Sequence, residues 1–399
     1  MIVSLNPAVR VTPPSDVTGD RWTAENLLQR RGFVLSRPAA AALVAAARPQ
    51  TAEELAKRLA DIPAHPRPAD YWLRILADLR ERGLILDQSA IGDDPGIDWL
   101  VDVRRRWSSY GWHEAAEYHL LSFDYPCVDY SEAIAIVTDR DRMRGYQADE
   151  ADQDRFKLDY SERPGTALPK LDQHLIETSA RAVWQSDVPP AAVGPDTLRK
   201  TLSAAFAATG FIVPKTDSAP LLRRSSPSGG GRNPTEGYVA VRDIEGLEPG
   251  WYHVTMKPFS LRRLNVPAPD DAALQRLFPN TAQRFPLSLR ALVVLTSVFE
   301  RNMYRYREPR TYRTVHMDAG HIAGTLRVAA RALGLTAAVF YCDAATEIED
   351  ALGLDGMAEG YMLTVALADG QREQLQIPQR PGGPTHERTR PTTAAGKDL

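Results

Sequence analysis

RSSPSGGGRNP is the sequence of residues 224–234, which lie between a predicted helix over 197–208 and a predicted strand over 237–241. Its three consecutive glycines carry no side chain, so backbone N–H groups of this loop can approach a flat or anionic ligand closely. Ser228 adds a hydroxyl that can donate or accept a hydrogen bond. The loop lacks the GxxxxGKS pattern of a nucleotide P-loop. Alone, it is compatible with a ligand-binding loop or with an ordinary surface loop.

Other segments of the chain favour the ligand-binding interpretation. They are EGLEPGWYH at 245–253, GHIA at 320–323 within a predicted helix over 318–333, ALGL at 332–335, the pair Ser179 and Arg181, and GWHEAAEYH at 111–119. Together with PSGG at 227–230, this set of segments in its order resembles the SagB-type dehydrogenases. These are FMN-dependent, nitroreductase-like oxidoreductases of thiazole- and oxazole-containing peptide biosynthesis. The resemblance is strong over 220–367 and weak before residue 90.

The resemblance implies an α+β fold. Its C-terminal half is then a nitroreductase-like, FMN-binding α/β domain with a central mixed sheet flanked by helices. It also implies a homodimer in which two subunits bury FMN at a shared interface. The flavin ring is expected beside Pro227, Ser228, Gly229 and Gly230.

Further cofactor contacts are implied at two other places. Ser179 and Arg181 are expected at the phosphate and ribityl end, where an arginine donates two hydrogen bonds at once. Thr336 and Ala337 are expected near the flavin N5 edge, where backbone donors stabilise charge on the reduced ring.

One arginine of the family's phosphate-binding element is absent from this chain. Glu177 or Thr178 stands in its place. Three other arginines are candidates to replace it: Arg223, Arg224 and Arg232.

The family's proton-removing Lys-Tyr pair aligns with Arg305 and Tyr306, within YRYREPRTYR at 304–313. Arginine cannot act as a base because its pKa is above about 12, whereas a tyrosine can if neighbouring cations favour the phenolate. Four arginines lie close to Tyr306 in sequence: Arg301, Arg305, Arg307 and Arg310. The resemblance therefore makes this pair the candidate catalytic residues. The alternative is a basic surface stretch that contacts an acidic partner.

Four regions are expected along the chain. They are a winged-helix-like region over 1–90, an aromatic-rich connection and charged linker over 91–165, the FMN domain over 166–377 and a disordered tail over 378–399. Residues 97–130 are rich in aromatic side chains, which usually form core. Residues 140–170 are dense in charge and are predicted to be a loop or linker.

The winged-helix prediction rests on a helix pair followed by a strand. Thr51 is a predicted N-cap, Ala69 begins the second helix, Gly83 ends it and residues 84–86 begin the strand. Residues 51–87 carry six Lys/Arg against seven Asp/Glu, whereas a phosphate-binding face needs excess positive charge. We therefore expect a protein- or peptide-binding or a purely structural role, and no binding of nucleic acid.

Composition excludes several other classes of protein. The formal net charge of −3 gives no electrostatic reason for binding a membrane surface. Cys127 and Cys342 have no CxxC spacing and are expected to be buried thiols, and neither HExxH nor another metal-ligand spacing occurs. His321 is expected to be a structural histidine. With no signal peptide at MIVSLNPAVR and no long apolar run, we expect a cytoplasmic protein without metal or membrane span.

These predictions converge on an FMN-dependent oxidoreductase. The favoured role is a dehydrogenase that oxidises a residue or azoline heterocycle in a ribosomal peptide or related natural product. A partner biosynthetic enzyme is a further expectation. One alternative is an NAD(P)H-dependent FMN reductase of nitro, quinone or dehydroamino acid groups. A second is a non-catalytic scaffold that binds a peptide.

Overall fold

A computed structural model describes most of the chain. The described residues are 1–16, 19–62, 67–87, 94–123, 129, 131–152, 154–182, 188–213, 220–285 and 288–370. They form two compact units. The first contains the described residues of 1–152 and 302–315, and the second those of 154–213, 220–301 and 316–370.

The first unit combines small sheets with helices. Its elements are β1 (Ile2–Leu5), β2 (Val9–Thr12), β3 (Trp22–Asn26), β4 (Arg31–Leu35), α1 (Arg37–Ala45), β5 (Gln50–Thr51), α2 (Ala52–Ala60), α3 (Ala69–Glu81), β6 (Ile85–Asp87), α4 (Pro95–Ser108), α5 (His113–Ser122) and α6 (Ala133–Asp149). The described strands form two antiparallel sheets, in the orders β5-β1-β6 and β2-β3-β4.

The predicted helix pair is present as α2 and α3. Thr51 accepts a hydrogen bond from the Glu54 N–H, and the Glu54 carboxylate accepts one from the Thr51 N–H, so both donors at the start of α2 are satisfied. Gly83, at φ +69°, follows α3 in a conformation that favours glycine. Trp72 is fully buried in the core beneath the pair. Residues 88–93, which follow β6, lie outside the described residues, so the winged helix stays a prediction.

The predicted linker over 140–170 is wrong in its first part. Helix α6 continues to Asp149, and it buries Asp139 and Met143. The charged residues favour the helix because Asp139 pairs with Arg142, one turn along. A high density of charge therefore marks ion pairs here rather than disorder.

The aromatic segment is only partly core. Trp107 stacks on His119 with ring centroids 4.9 Å apart. Tyr110 and Trp112, in contrast, are 77% and 60% exposed, because they stand at the turn between α4 and α5. The expectation that the aromatic residues of 97–130 are core is wrong for these two.

The second unit is built around one large sheet. Its elements are β7 (Gly165–Ala167), α7 (Gln173–Ala182), α8 (Pro195–Phe206), β8 (Ala208–Ile212), β9 (Leu221–Arg224), β10 (Thr235–Val241), β11 (Gly250–Met256), β12 (Phe259–Arg263), α9 (Asp271–Leu277), α10 (Pro279–Arg284), β13 (Leu289–Val298), α11 (Glu300–Met303), α12 (Thr311–Ala332), β14 (Thr336–Phe340), α13 (Ala345–Leu352) and β15 (Glu359–Ala368). The ends of α11 and α12 that fall within 302–315 belong to the first unit.

The sheet has the order β14-β15-β13-β10-β11-β12-β7. Successive residues of its central strands point to opposite faces. Val239 and Val293 pack with Leu326 of α12 on one face, whereas Tyr238 and Val294 pack with α9 and α13 on the other. Helices on both faces of one sheet confirm the α+β fold class.

Two details differ from the sequence predictions. All pairings between the described strands of this sheet are antiparallel, so it is not the mixed sheet expected. Helix α12 begins at Thr311 rather than 318, because the buried side chains of Thr311 and Val315 extend its packed face backwards.

Cys342 is exposed in the segment between β14 and α13, so the prediction of a buried thiol is wrong there. Cys127 and the predicted tail over 378–399 lie outside the described residues. Among the helices that the structure describes, none is long and apolar enough to cross a membrane.

Candidate functional site

The glycine-rich loop between β9 and β10 turns through left-handed backbone conformations. Gly230 and Gly231 have φ values of +60° and +63°, and Asn233 has a φ of +51°. A side chain at such positions is strained, which explains the glycines. The Asn233 amide stabilises the turn by donating to the carbonyl oxygens of Leu222 and Gly231 at 2.8 and 3.0 Å.

A buried carboxylate on α12 binds this loop from within the second unit. Asp318 accepts hydrogen bonds from Ser228 Oγ at 2.6 Å and from the Gly229 N–H at 3.0 Å. Ser228 Oγ in turn accepts from the Asn233 N–H at 2.8 Å. The Ser228 hydroxyl is therefore used inside the protein, and its predicted contact with a cofactor stays a prediction.

Two further residues of α12 hold the preceding part of the loop. His321 Nδ1 lies 3.1 Å from the Pro227 carbonyl oxygen, and Thr325 Oγ1 lies 2.9 Å from Ser226 Oγ. Together with Asp318 they form a polar stripe at i, i+3 and i+7, which lies on one face of a helix. The spacing of these three residues is visible in the sequence, but only the fold shows that they bind the loop. His321 therefore has a defined role in holding the loop.

Burial disfavours charge on Asp318. Its side chain is buried, and this desolvation raises the pKa of the carboxyl above the ordinary value of 3.8. The hydrogen bonds from Ser228 and Gly229, and the nearby His321, oppose the shift. The carboxylate that holds the loop is thus stabilised mainly by donors of the loop itself.

The far end of the loop is anchored in a buried ion network. Arg301 donates to the Asn233 carbonyl oxygen at 2.9 Å and pairs with Glu236 at 2.6 Å. Glu236 also lies 3.0 Å from His253 Nε2. Burial opposes ionisation of Glu236, but Arg301, His253 and Arg224 outweigh it and lower the pKa of the carboxyl.

A second cluster of charges continues this network across the sheet. Lys157 Nζ forms an ion pair with Glu359 and donates to the Tyr238 hydroxyl at 2.8 Å. Tyr238 donates to Glu359 at 3.1 Å. Sequence analysis missed these residues because they come from distant parts of the chain and carry no local motif.

The three candidate phosphate arginines fall into two classes. Arg224 and Arg232 are buried, and burial lowers the pKa of Arg224 to about 10 while it remains a cation at neutral pH. Arg224 donates to the Thr235 carbonyl oxygen, so it belongs to the interior. Arg223 is exposed, which makes it the best placed of the three to meet a phosphate.

The remaining predicted cofactor residues also lie in the second unit. Ser179 on α7 is 5% exposed, and its Oγ makes no hydrogen bond among the described residues. Arg181 on the same helix is exposed. Thr336 and Ala337 begin β14, are half-buried and pair with β15. A buried hydroxyl without a partner needs an acceptor or donor from outside the described residues.

Arg305 and Tyr306 belong to the first unit. The Arg305 guanidinium lies 2.5 Å from Asp139 of α6 and 5.0 Å from the centroid of the Tyr306 ring. Arg307 pairs with Glu150. The sequence prediction treated the arginines near Tyr306 as unbalanced cations, but Arg305 and Arg307 each have a carboxylate partner.

Helix α5 holds the other end of this segment. Tyr118 donates to the Pro309 carbonyl oxygen at 3.0 Å, and Arg313 lies 3.0 Å from His119 Nδ1. Burial and then the charge of Arg313 lower the pKa of His119, so its neutral ring accepts the hydrogen bond. The GWHEAAEYH motif thus supports the segment that carries Arg305 and Tyr306.

Comparison with known proteins matches residues 189–370 to the Nitroreductase family. The chain is 29% identical over 260 residues to the Trifolitoxin-processing protein TfxB of Rhizobium leguminosarum bv. trifolii, covering 62% of this chain and 68% of TfxB. It is 33% identical over 142 residues to MJ1384 of Methanocaldococcus jannaschii, which is named as a nitroreductase. That match covers 35% of this chain and 66% of the relative, so just under two thirds of its length is spanned.

Among solved structures, the chain is similar to one in the E. coli Microcin synthetase McbBCD complex with truncated pro-MccB17 bound. The sequence identity is 17% and the TM-score is 0.38, with 72% of this chain and 98% of that chain covered.

Proposed function

We propose that this protein is an FMN-dependent dehydrogenase acting on a residue or azoline in a ribosomal peptide or related natural product, because residues 189–370 match the Nitroreductase family. The observation that carries the proposal is the loop over 225–233, held from α12 and anchored at Asn233 by Arg301. The similarity to TfxB, a toxin-processing protein, supports a peptide as the substrate. The microcin synthetase is named as a complex, and a partner biosynthetic enzyme is part of the proposal.

The residues of the second unit suit FMN. Exposed Gly230, at positive φ, presents backbone without a side chain, as a flat ring requires. The buried Ser179 hydroxyl lacks a partner among the described residues, and exposed Arg181 and Arg223 offer positive charge to a phosphate. Ser179 and Arg181 would hold the phosphate end, and Pro227 to Gly230 the ring, with Thr336 and Ala337 at its N5 edge.

Bound FMN supplies the hydride acceptor for this reaction. Tyr306, as phenolate, removes the proton from one carbon of the azoline, and a hydride leaves the adjacent carbon. The heterocycle loses two hydrogens and two electrons and becomes an azole, while oxygen or another acceptor takes the electrons from the enzyme. Arg305 cannot exchange a proton at neutral pH, so we assign it to holding the Tyr306 ring, beside which its guanidinium lies.

A homodimer is part of the proposal, and the exposed face of α12 is its best candidate interface. Gly320 and Gly324 lie on that face with open space around an added Cβ, and Met317 beside them is 53% exposed. Each glycine in a helix interior costs about 1 kcal/mol relative to alanine. Close approach of a second copy of the chain explains why glycines occupy these two positions.

Gly324→Leu tests the interface, because the position is open in one subunit. We expect light scattering to show a monomer, with a thermal stability lower than that of the control variant because the association is lost. Gly145→Leu on α6 is the matched control, since an added Cβ there also meets open space. A Gly324→Leu dimer as stable as that of Gly145→Leu places the interface elsewhere.

The cofactor test uses the purified full chain. We expect a yellow protein that releases FMN on denaturation, and a colourless protein that takes up no added FMN would contradict the proposal. The reaction test uses a synthetic peptide with one thiazoline ring. A loss of two hydrogens from that peptide, dependent on oxygen and not on NADPH, supports the dehydrogenase.

The similarity to MJ1384 favours one alternative, an NAD(P)H-dependent reductase. Oxidation of NADPH with a nitro or quinone acceptor, and no change in the thiazoline peptide, would establish that direction instead. Binding of the peptide by a protein that takes up no flavin would favour the non-catalytic scaffold.

A further inference from the structure

Helix α6 presents one continuous face to the segment that carries Arg305 and Tyr306. Asp139, Met143, Tyr146 and Glu150 follow each other at i, i+4, i+7 and i+11, the spacing of a single helical face that ends at the C-cap. Met143 is buried at its centre.

The other three residues on this face contact three residues of the segment, and Tyr146 also lies beneath the Arg307 guanidinium, 3.8 Å from its ring centroid. The Tyr146 ring meets the Tyr304 ring edge-on at 6.4 Å, and Glu150 pairs with Arg307. Asp139 pairs with Arg305. The face therefore supports three of four consecutive residues, and the fourth is Tyr306.

The Asp139 contact differs from the other two because both partners are withdrawn from water. The side chains of Asp139 and Arg305 are 2% and 12% exposed, whereas Glu150 and Arg307 are about half exposed. A buried ion pair has a well-defined geometry, whereas an exposed pair is weakened by solvent. Asp139 thus holds the Arg305 guanidinium in a buried ion pair.

Arg305 transmits that position to Tyr306. Its guanidinium lies 5.0 Å from the ring centroid, within the range of a cation–π contact. The carboxylate also balances the charge of Arg305, so the ring lies beside a neutralised cation. Arg142 is the second partner of Asp139 and is 43% exposed, so it is the more solvated of the two arginines that pair with this carboxylate.

We infer that Asp139 is a positioning residue for the Arg305–Tyr306 pair. It fixes the guanidinium against the Tyr306 ring and thereby fixes the ring from which the proposed base acts. A general base works only within hydrogen-bond reach of its proton, and a small displacement lowers the rate strongly. This inference rests on the proposed function, which assigns the base to Tyr306.

The first test observes Tyr306 without any substrate. All 14 tyrosines are replaced by 3-fluorotyrosine in the full chain, and the ¹⁹F resonance of Tyr306 is the one missing from Tyr306→Phe. We expect Asp139→Asn to shift or broaden that resonance. The control is Asp141→Asn, which removes an exposed ion pair with Arg144 on the same helix and should leave the resonance in place. An unmoved Tyr306 resonance in Asp139→Asn overturns the inference.

The second test measures oxidation of the thiazoline peptide. We expect Asp139→Asn to lower kcat by up to about 100-fold with little change in KM, because ring placement and not peptide binding is lost. In a Tyr306→Phe background the same substitution should cost nothing further, since both changes act through one group. An equal loss in both backgrounds indicates a merely structural effect and overturns the inference.

Asp139→Asn removes the carboxylate from its ion pair with the buried Arg305 guanidinium, which can lower the thermal stability of the variant. The double variant Asp139→Asn/Arg305→Gln removes both charges and should restore the thermal stability while the Tyr306 resonance stays displaced. A wild-type resonance in this double variant overturns the inference. Failure of the proposed function looks different: Tyr306→Phe then keeps full turnover, or no peptide is oxidised, while the resonance still depends on Asp139.

Discussion

The loop over 225–233 and the segment over 302–313 both carry candidate site residues, but different kinds of side chain hold them. In the first, side chains from outside the loop bind its hydroxyl and backbone groups: Asp318 binds Ser228 and the Gly229 N–H, and Arg301 donates to the Asn233 carbonyl oxygen. Long charged side chains, paired with Asp139 and Glu150, bind the second. The loop is proposed to offer its backbone to FMN and is bound through its own hydroxyl and N–H groups, whereas the segment proposed to carry the base is bound through its arginine side chains.

The comparison predicts different outcomes when each region is changed. Substitutions in the loop over 225–233 should affect cofactor occupancy. Substitutions in the segment over 302–313 should affect turnover with the cofactor still bound.

Tyr306→Phe carries the largest expected effect. It removes the proposed base, and general-base catalysis is worth about 100- to 10,000-fold in rate. We expect that loss in thiazoline peptide oxidation, measured as kcat, with the FMN content unchanged. Arg305→Lys should be tolerated, because a lysine can keep the ion pair with Asp139.

Tyr312→Phe is the control for this substitution. Tyr312 is 50% exposed and meets Tyr118 edge-on, so its hydroxyl is not assigned a role in the reaction. If Tyr312→Phe or Tyr304→Phe abolishes activity and Tyr306→Phe does not, the assignment of the base within this segment is wrong.

Glu236→Gln should have the next largest effect, and on stability rather than rate. It leaves Arg301 and Arg224 buried without their carboxylate, and breaking a buried pair costs about 3–5 kcal/mol. Urea unfolding should show this loss. Asp243→Asn, which removes an exposed partner of Arg290, should cost far less. Equal losses would show that the network is not the anchor of the loop.

The sequence predicted one of these two regions better than the other. The glycine-rich loop was predicted correctly because its run of glycines is a local signal in the sequence. Gly230 and Gly231 do adopt positive φ values. Its support by Asp318 was missed, since a carboxylate on a helix 89 residues from Gly229 has no local signal. The helices α8 and α12 and the strand β10 were predicted from local sequence patterns.

The environment of the segment over 302–313 depends on contacts with residues that are distant in sequence, so it could not be predicted from local patterns. The arginines were expected to favour the Tyr306 phenolate, but Asp139 and Glu150 balance two of them. Both carboxylates lie on or beside α6; Glu150 falls within the stretch over 140–170 that its charge density led us to predict as a linker, and Asp139 directly precedes it. Charge density alone does not distinguish a solvated linker from a helix whose charges pair elsewhere in the fold.

Gly230→Val should have a smaller effect that separates occupancy from stability. A β-branched residue at φ +60° is strained by about 1–3 kcal/mol, and the distorted backbone no longer fits a flat ring. Gly353→Val is the matched control, because Gly353 has φ +69° with open space around it at the end of α13. Both variants should lose similar thermal stability, but only Gly230→Val should lose bound FMN. Equal FMN content in the two variants would mean that the loop does not contact the cofactor.

Asp318→Asn should have the smallest effect, and its sign depends on pH. Burial raises the folded-state pKa of Asp318 above 3.8, so the protonated form favours the folded state. That contribution is fully present below the unfolded-state pKa and is lost as the pH rises through the raised folded-state pKa. An amide does not titrate, so the Tm of Asp318→Asn relative to the unsubstituted protein should increase with pH across this window.

At neutral pH the amide offers one acceptor atom where the carboxylate offered two, and one lost hydrogen bond costs about 1 kcal/mol. Asp196→Asn, which removes an exposed carboxylate paired with Lys200 on α8, is the control for the loss of one negative charge at neutral pH. Parallel Tm curves for Asp318→Asn and the unsubstituted protein would show that the loop is held without a titrating carboxylate, and the contrast between the two regions would then rest on the ion pairs of α6 alone.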